Sequence, residues 1–206
     1  MNKSKHHLND HKDIGSKFKL KKLRKRIRKA QDAKRYEHTL GVEYTAAALA
    51  MRYGADLESA QVAGLLHDCA KCIPDDKKLA LCEKYGIAMT ETERRCPFLL
   101  HAKLGGYLAR KKYGIEDRDI INAIVNHTTG REGMSLLEKI VFVADYIEPG
   151  RNHAPNLAHI RALAFENINK ALLRILEDTL NYLKTSGEEL DPMTEITLKY
   201  YREHGR

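Results

Sequence analysis

One apolar segment decides the fold of this chain: residues 56–71 read DLESAQVAGLLHDCAK. Asp56 is a suitable N-cap, and small and aliphatic residues fill the turns after it, so the segment predicts a helix that is buried on most sides. The end of this helix presents an imidazole and a carboxylate together, at His67-Asp68. Ionisable groups on a core-facing helix are costly unless they are paired, neutralised or bound to a metal. The segment therefore predicts a buried polar site at the end of an apolar helix.

Helical periodicity continues on both sides of this segment, and no useful length of chain alternates with period two. Glycines such as Gly54, Gly86 and Gly114 mark the ends of predicted helices. Asp191-Pro192 starts the last helix, as an N-cap followed by a first-turn proline. The pattern therefore predicts an all-α bundle. The predicted helical windows are 18–30, 36–53, 56–73, 75–85, 99–113, 117–127, 135–147, 163–185 and a last one from 191.

Composition and charge narrow the class of protein. The 206 residues are 43% hydrophobic and 31% charged, which suits one globular domain with or without an appendage. No run approaches 18 apolar residues and no signal-peptide pattern opens the chain, so we expect no membrane span and a cytoplasmic location. Residues 1–29 hold 12 Lys/Arg and 2 acidic residues, whereas the other 177 hold 24 basic and 26 acidic ones. We predict a disordered basic extension at 1–17, a single domain at 18–206, and weak polyanion or RNA contact through 1–29 as a second hypothesis.

Four cysteines lie close together in the sequence, at Cys69, Cys72, Cys82 and Cys96. Without an export signal they are better interpreted as thiols than as disulfides. A single Cys-x-x-Cys with no βαβ pattern around it is a weak signal for redox chemistry or zinc. We interpret the four as small packing residues, with a zinc site or a catalytic thiol as the alternatives.

Six ionisable side chains recur on successive predicted helices, several of them directly after apolar runs. Metal sites in helical bundles are built from inward-facing side chains of this kind. A mixed imidazole and carboxylate set suits iron, manganese or zinc better than magnesium. The set therefore predicts a metal centre. Its members are His38, His67, Asp68, His101, His127 and Asp145.

The order of His38, His67-Asp68 and Asp145 resembles that of the HD-domain phosphohydrolases, all-helical metal-dependent enzymes that act on phosphate esters and anhydrides. Four strings are similar to the YqeK family of bacterial symmetrical diadenosine tetraphosphate hydrolases, which carry a di-iron centre. The strings are KRYEHTLGV at 34–42, GLLHDCAK at 64–71, HTTG at 127–130 and ADYIEP at 144–149. The resemblance covers about residues 20–203.

The resemblance implies an HD-domain helical bundle around a central dinuclear metal site. The implied cofactors are two divalent ions, with iron as the family's metal and manganese or zinc as alternatives. In this arrangement Asp68 bridges the two ions and belongs to the catalytic set. The other ligands divide between the ions: His38, His67 and Asp145 hold the first, and His101 and His127 hold the second.

The implied reaction is hydrolysis of diadenosine tetraphosphate to two ADP by a metal-activated water. Lys71 follows Asp68 by three positions on the same predicted helical face. We therefore expect Lys71 to contact phosphate oxygens and to stabilise charge on the leaving side. Thr128, Gly130 and Arg151 are the further expected substrate contacts, with an ordinary loop role as the alternative for each.

Two other functions stay open at this point. One is a different HD-domain phosphohydrolase that acts on mononucleotides. The other is a protein that binds RNA or a partner through its basic arm. The sequence also leaves open whether the protein forms a homodimer.

Overall fold

The computed structural model describes residues 18–187 and 189–205, and the predicted extension at 1–17 lies outside them. The described residues form eleven α-helices and one 3₁₀ turn, without a strand, so the predicted all-α architecture is confirmed. No helix in these ranges combines the length and the apolarity that crossing a membrane requires. The helices are α1 Leu20–Ala30, α2 Ala33–Tyr53, α3 Leu57–Leu66, α4 Asp75–Lys84, α5 Glu91–Arg95, α6 His101–Lys111, α7 Arg118–Val125, α8 Leu136–Ile147, α9 Leu157–Glu166, α10 Ile168–Ser186 and α11 Pro192–His204, with the 3₁₀ turn at Pro97–Leu100.

The core surrounds α3, which packs against α1, α2, α7 and α8. All residues from 62 to 70 are buried, so the chain segment that carries His67-Asp68 runs through the interior. Asp56 caps the helix by accepting from the main-chain N–H of Ser59, as the sequence predicts. A second, smaller apolar cluster lies between α4, the 3₁₀ turn and α6. The enclosure of α3 thus fixes the polar pair at the centre of the bundle.

The basic helix α1 is packed on the bundle. Leu23 and Ile27 lie one turn apart and are buried among the core residues. Arg24 forms an ion pair of 2.5 Å with Glu43, whose side chain is fully buried in α2. A buried carboxylate of this kind needs a partner, and α1 supplies it.

The predicted single helix over 163–185 is wrong, because two helices, α9 and α10, occupy this region. Asn167 separates them, with φ −151° and ψ 104°. Its side chain accepts hydrogen bonds from the main-chain N–H groups two and three residues later, which caps α10. Asparagine side chains compete with helical hydrogen bonds in this way, so the apolar periodicity alone did not reveal the break.

Candidate metal centre

The six predicted ligands come together where five helices meet. Potential ligand atoms within 4.8 Å of one another form two groups, His38 with His67 and Asp145, and His67 with Asp68 and His127. Nearly every one of the six side chains comes from a different helix. His38 lies in the second turn of α2, His67-Asp68 follows α3, His101 begins α6, His127 follows α7, and Asp145 lies near the end of α8.

The carboxylate of Asp68 lies between two groups of imidazole nitrogens. Its Oδ2 is 3.5 Å from Nε2 of His67 and 4.0 Å from Nε2 of His38. Its Oδ1 is 3.3 Å from Nε2 of His101 and 3.6 Å from Nε2 of His127. A carboxylate whose two oxygens face separate groups of nitrogen ligands has the arrangement of a bridging ligand.

Asp145 lies on only one side of this bridge. Its Oδ1 is 3.1 Å from Nε2 of His38 and 3.8 Å from Nε2 of His67. The side chain is about one-fifth exposed, whereas the Asp68 side chain is almost fully buried. The Asp145 side is therefore the more exposed edge of the centre.

Three of the histidines donate the Nδ1 hydrogen to a main-chain carbonyl. The acceptor is the carbonyl oxygen three residues earlier in each case, at 2.7 Å for His67, 2.6 Å for His101 and 2.7 Å for His127. For His67 and His127, which follow the last residues of α3 and α7, the accepting carbonyl lies in the last helical turn, where carbonyl groups lack helical partners. A hydrogen on Nδ1 leaves Nε2 as the free ligand atom, so three Nε2 atoms point into the centre in the state that binds a metal.

The polar atoms of the centre fit a bound cation. Nε2 of His67 and Oδ1 of Asp68 are buried and have no hydrogen-bond partner within the described residues. Nε2 of His101 and Nε2 of His127 face each other at 3.2 Å. Two metal–nitrogen bonds of about 2.1 Å at an angle of about 100° span about the same distance. The cluster can therefore hold divalent metal ions.

The protonation states of Asp68, Asp145 and His101 agree with this chemistry. Burial raises the pKa of Asp68, but the neighbouring imidazoles, His67 first, outweigh it and hold the pKa well below its usual value. Burial likewise opposes the ionisation of Asp145, yet the hydrogen bond with His38 and the neighbouring imidazole of His67 keep its pKa well below normal. Burial lowers the pKa of His101 well below its usual value, so its ring is neutral. Ionised carboxylates and neutral imidazoles are the forms that bind metals.

Comparison with known proteins identifies the family. Residues 35–150 match the model of the HD domain, and this range contains all six residues of the centre. The chain belongs to the HD-domain family. The HD-domain bundle that the resemblance implies is thereby confirmed.

Similar proteins and a solved structure show to which family of HD-domain proteins this chain belongs. The symmetrical bis(5'-nucleosyl)-tetraphosphatase of Bacillus subtilis (strain 168) is 40% identical over 168 residues, covering 81% of this chain and 88% of that protein. The protein of the same name from Staphylococcus aureus is 32% identical over 184 residues, covering 88% and 94%. A crystal structure of an HD superfamily hydrolase from Clostridium acetobutylicum, described as involved in NAD metabolism, is 41% identical, with a TM-score of 0.87 and coverage of 91% and 98%. The chain is thus a member of the YqeK family within the HD-domain proteins.

Lys71 lies beside His101, one of the two histidines that face Oδ1 of Asp68. The α-helix that was predicted to carry it ends at Leu66, and residues 67–73 form successive turns. The main-chain N–H of Lys71 donates to the carbonyl of Asp68 at 3.0 Å, and turns of this i→i+3 type align residues three apart. Its Nζ is 3.4 and 3.5 Å from the two ring nitrogens of His101. The predicted neighbourhood of Lys71 and Asp68 therefore exists although the helical reason for it was wrong.

Thr128 and Arg151 also border the centre. The hydroxyl of Thr128 is 3.3 Å from Nε2 of His101 and 3.3 Å from Nε2 of His127. Arg151 donates from Nη2 to Oδ1 of Asp145 at 2.7 Å and from Nε to the carbonyl of the same residue at 3.1 Å. The substrate contacts predicted for Thr128 and Arg151 stay predictions.

Gly130 has a clear packing role. Its φ is +67°, in the left-handed region that favours glycine, and a Cβ there would lie 2.8 Å from Cγ2 of Thr197 in α11. The turn after His127-Thr128 therefore needs glycine for its conformation and for its contact with α11. The predicted substrate contact of Gly130 stays a prediction.

Arg35 and Glu148 are the two residues at the centre that the sequence reasoning missed. Arg35 donates from Nη1 to Oδ2 of Asp68 at 2.8 Å. Its position three residues before His38 on one helix was an available signal, because such residues share a face. Glu148 accepts a hydrogen bond of 3.0 Å at Oε1 from Nδ1 of His38 and is 3% exposed. The only local sign of Glu148 was an acidic residue directly after α8, the helix that carries Asp145.

The four cysteines are free thiols. Cys69 and Cys82 are buried, and burial raises the pKa of Cys69 to about 12. The groups of potential metal ligands found among residues 18–187 and 189–205 include no cysteine. These observations agree with packing roles for the buried pair and give no support to a cysteine-bound zinc.

Proposed function

We propose that this HD-domain protein hydrolyses diadenosine tetraphosphate symmetrically to two ADP at a dinuclear metal centre. The observation that carries the proposal is the position of Asp68, whose two carboxylate oxygens face two separate groups of histidines. The names of the Bacillus and Staphylococcus relatives support the substrate.

We assign His38, His67 and Asp145 to one metal ion, His101 and His127 to the other, and Asp68 to both. Iron is the proposed metal, because the mixed imidazole and carboxylate set suits it and the family resemblance implies it. Manganese and zinc meet the same ligand preferences. When bound, two such ions lower the pKa of a bound water from 15.7 towards about 7 and neutralise phosphate charge.

The cations of the chain lie on both sides of Asp68. Lys71 stands beside His101, and Arg151 stands beside Asp145. A tetraphosphate that is cut at its central anhydride extends anionic phosphates in both directions from the reacting bond. We assign Lys71 to the charge that develops on the departing ADP, and Arg151 to a phosphate of the other half.

Thr128 and Arg35 have supporting roles in this proposal. The Thr128 hydroxyl, between two ligand nitrogens, is positioned to donate to a phosphate oxygen of a bound substrate. Arg35 binds Oδ2 of Asp68 and so compensates the charge of a carboxylate that is almost fully buried. Each assignment concerns a side chain that already touches a proposed ligand.

The deciding experiment incubates anaerobically purified full-length protein with diadenosine tetraphosphate, with and without added ferrous ion, and separates the products by chromatography. Formation of ADP alone, lost on chelation and restored by metal, is the expected result. Formation of AMP and ATP would overturn the symmetric cut. Absence of turnover with iron, manganese and zinc, together with hydrolysis of a mononucleotide, would favour the alternative HD phosphohydrolase.

The basic face of α1 favours a second candidate function, contact with RNA. Leu23 and Ile27 are buried, so the apolar side of the helix is already used in the core. Arg26 donates to the carbonyl of Lys112 and lies over the ring of Tyr113, which joins α1 to the basic end of α6. The exposed cations of this combined face are Lys19, Lys21, Lys22, Lys25, Arg28, Lys29, Arg110, Lys111 and Lys112.

RNA contact through this face has a clear electrostatic signature. Affinity for a labelled single-stranded RNA is expected to fall steeply with salt, because binding releases counterions from the phosphates. Reversing the charges of Lys25 and Arg28 is expected to weaken this binding and to leave hydrolysis unchanged. Fluorescence anisotropy at several salt concentrations measures the RNA affinity. Equal affinity of the wild type and the charge-reversed variant would overturn RNA contact through this face.

A further inference from the structure

Among the four histidines of the centre, His38 alone has a side-chain acceptor for its Nδ1 hydrogen. The other three donate to the main-chain carbonyl three residues earlier. His38 lies in the interior of α2, from 33 to 53, where the carbonyls of the preceding turn already accept helical hydrogen bonds. Its ring therefore needs an acceptor from another element, and Glu148 supplies it at 3.0 Å.

Glu148 is held firmly for this contact. Its Oε1 faces His38, and its Oε2 accepts from the main-chain N–H of Gly150 at 2.6 Å. It follows the last residue of α8, and its own N–H donates to the carbonyl of Ala144. Both carboxylate oxygens are thus used, and the side chain is buried against α2.

Arg161 of α9 anchors the segment that carries Glu148. Its Nε donates to the carbonyl of Ile147 at 2.9 Å, and its Nη2 donates to the carbonyls of Glu148 at 2.9 Å and Arg151 at 2.8 Å. One guanidinium therefore fixes three carbonyls around the end of α8. Arg161 lies beyond residues 35–150, which match the HD domain, so this support comes from outside the matched segment.

Gly41 keeps the space for the carboxylate open. It lies three residues after His38 on α2, and a Cβ there would come within 2.4 Å of Oε2 of Glu148. Glycine inside a helix is less favourable than alanine, so an interior glycine needs a packing reason. The obstructing atom would be a carboxylate oxygen and not a backbone atom, so alanine here is expected to displace the Glu148 carboxylate and to keep the helix.

We propose that Glu148, anchored by Arg161, is the positioning residue of His38 and controls metal affinity on that side of the centre only. The carboxylate fixes the hydrogen on Nδ1, aims Nε2 at the Asp145 side and makes the ring a stronger ligand. This inference rests on the proposed function, in which His38 is a metal ligand. The side of His101 and His127 depends on main-chain carbonyls and is independent of Glu148.

Metal titration of the metal-free full chain tests the proposal. Wild type, Glu148→Ala, Gly41→Ala and Arg161→Ala are titrated with Mn²⁺ by calorimetry, and two binding steps are expected for wild type. Glu148→Ala and Gly41→Ala are expected to weaken one step about 10- to 100-fold and to leave the other unchanged. Arg161→Ala is expected to weaken the same step, and Glu148→Gln, which keeps an acceptor oxygen, is expected to recover part of the affinity.

Two controls separate positioning from general loss of structure. Arg174→Ala removes a half-exposed arginine that binds Asp178 within α10, and both Mn²⁺ steps are expected to persist. Metal-free Gly41→Ala is expected to keep a single cooperative unfolding transition, because the added Cβ meets the Glu148 side chain and no backbone atom.

The outcomes distinguish this inference from the proposed function. Equal weakening of both steps, or of neither, in Glu148→Ala and Gly41→Ala would overturn the positioning role while hydrolysis by wild type stood. A wild-type protein that binds two Mn²⁺ ions with the expected variant pattern, yet cleaves no dinucleoside tetraphosphate, would overturn the function and leave the positioning role in place.

Discussion

Replacing Asp68 by Asn is the most informative perturbation of the centre. The substitution keeps the shape of the side chain and removes the charge that faces both groups of histidines, at 3.3–4.0 Å. One preorganised electrostatic group contributes about 10²- to 10³-fold in kcat. If each half of the centre contributes on that scale, losing the shared ligand lowers activity about 10⁴- to 10⁶-fold, or about 5–8 kcal/mol of transition-state stabilisation. His101→Ala disturbs one half and is expected to cost only about 10²- to 10³-fold.

The assay measures ADP release from diadenosine tetraphosphate at saturating metal, by chromatography. Asp178→Asn is the matched control, because Asp178 is also a buried carboxylate that binds an arginine, Arg174, at 3.0 Å, far from the ligands in sequence. It is expected to lower stability and to keep most of the activity. The bridging argument fails if Asp68→Asn loses no more activity than His101→Ala, or if Asp178→Asn loses as much.

Three further predictions concern catalysis, packing and pH. Lys71→Gln is expected to lower kcat about 10²-fold with little change in KM, and steady-state kinetics that show a raised KM alone would contradict its assignment. Ile27→Ala is expected to lower the free energy of unfolding by about 2–5 kcal/mol and the melting temperature, followed by circular dichroism, by at least about 4 °C. Lys25→Ala, on the exposed face of α1, is expected to change the melting temperature little. Equal melting temperatures of the two variants would mean that α1 is not packed on the bundle. Burial lowers the pKa of His38, but the carboxylate of Asp145 helps to raise it above its usual value. The charged ring therefore stabilises the metal-free protein. This stabilisation is complete below pH about 6.5 and is lost as the pH rises through the pKa of His38 in the folded protein. Melting in EDTA across this range is expected to show that loss and to show less of it in Asp145→Asn; a flat wild-type profile would refute it.

Much of the fold was predictable because it depends on local signals. Caps such as Asp56 and Asp191 and the glycine after α2 mark helix boundaries that the structure reproduces. The break at Asn167 escaped prediction, since an asparagine side chain that caps a helix looks like any polar residue within an apolar periodicity. The prediction that Lys71 lies near Asp68 is correct, although α3 ends at Leu66 and a turn, not a helix, brings the two residues together.

The sequence by itself determined the chemical inventory of this protein: helices with apolar faces, an imidazole and a carboxylate directly after a strongly apolar helix, and further ligand types within other helices or at their ends. Only the tertiary structure decided which of these atoms face each other. His38 and Glu148 are 110 residues apart, and Arg35 and Asp68 are 33 apart on different elements. Periodicity reports what a single helix buries, whereas contacts of this kind depend on how helices pack against one another. The bridge at Asp68 and the support of His38 by Glu148 and Arg161 therefore emerge only in the folded chain.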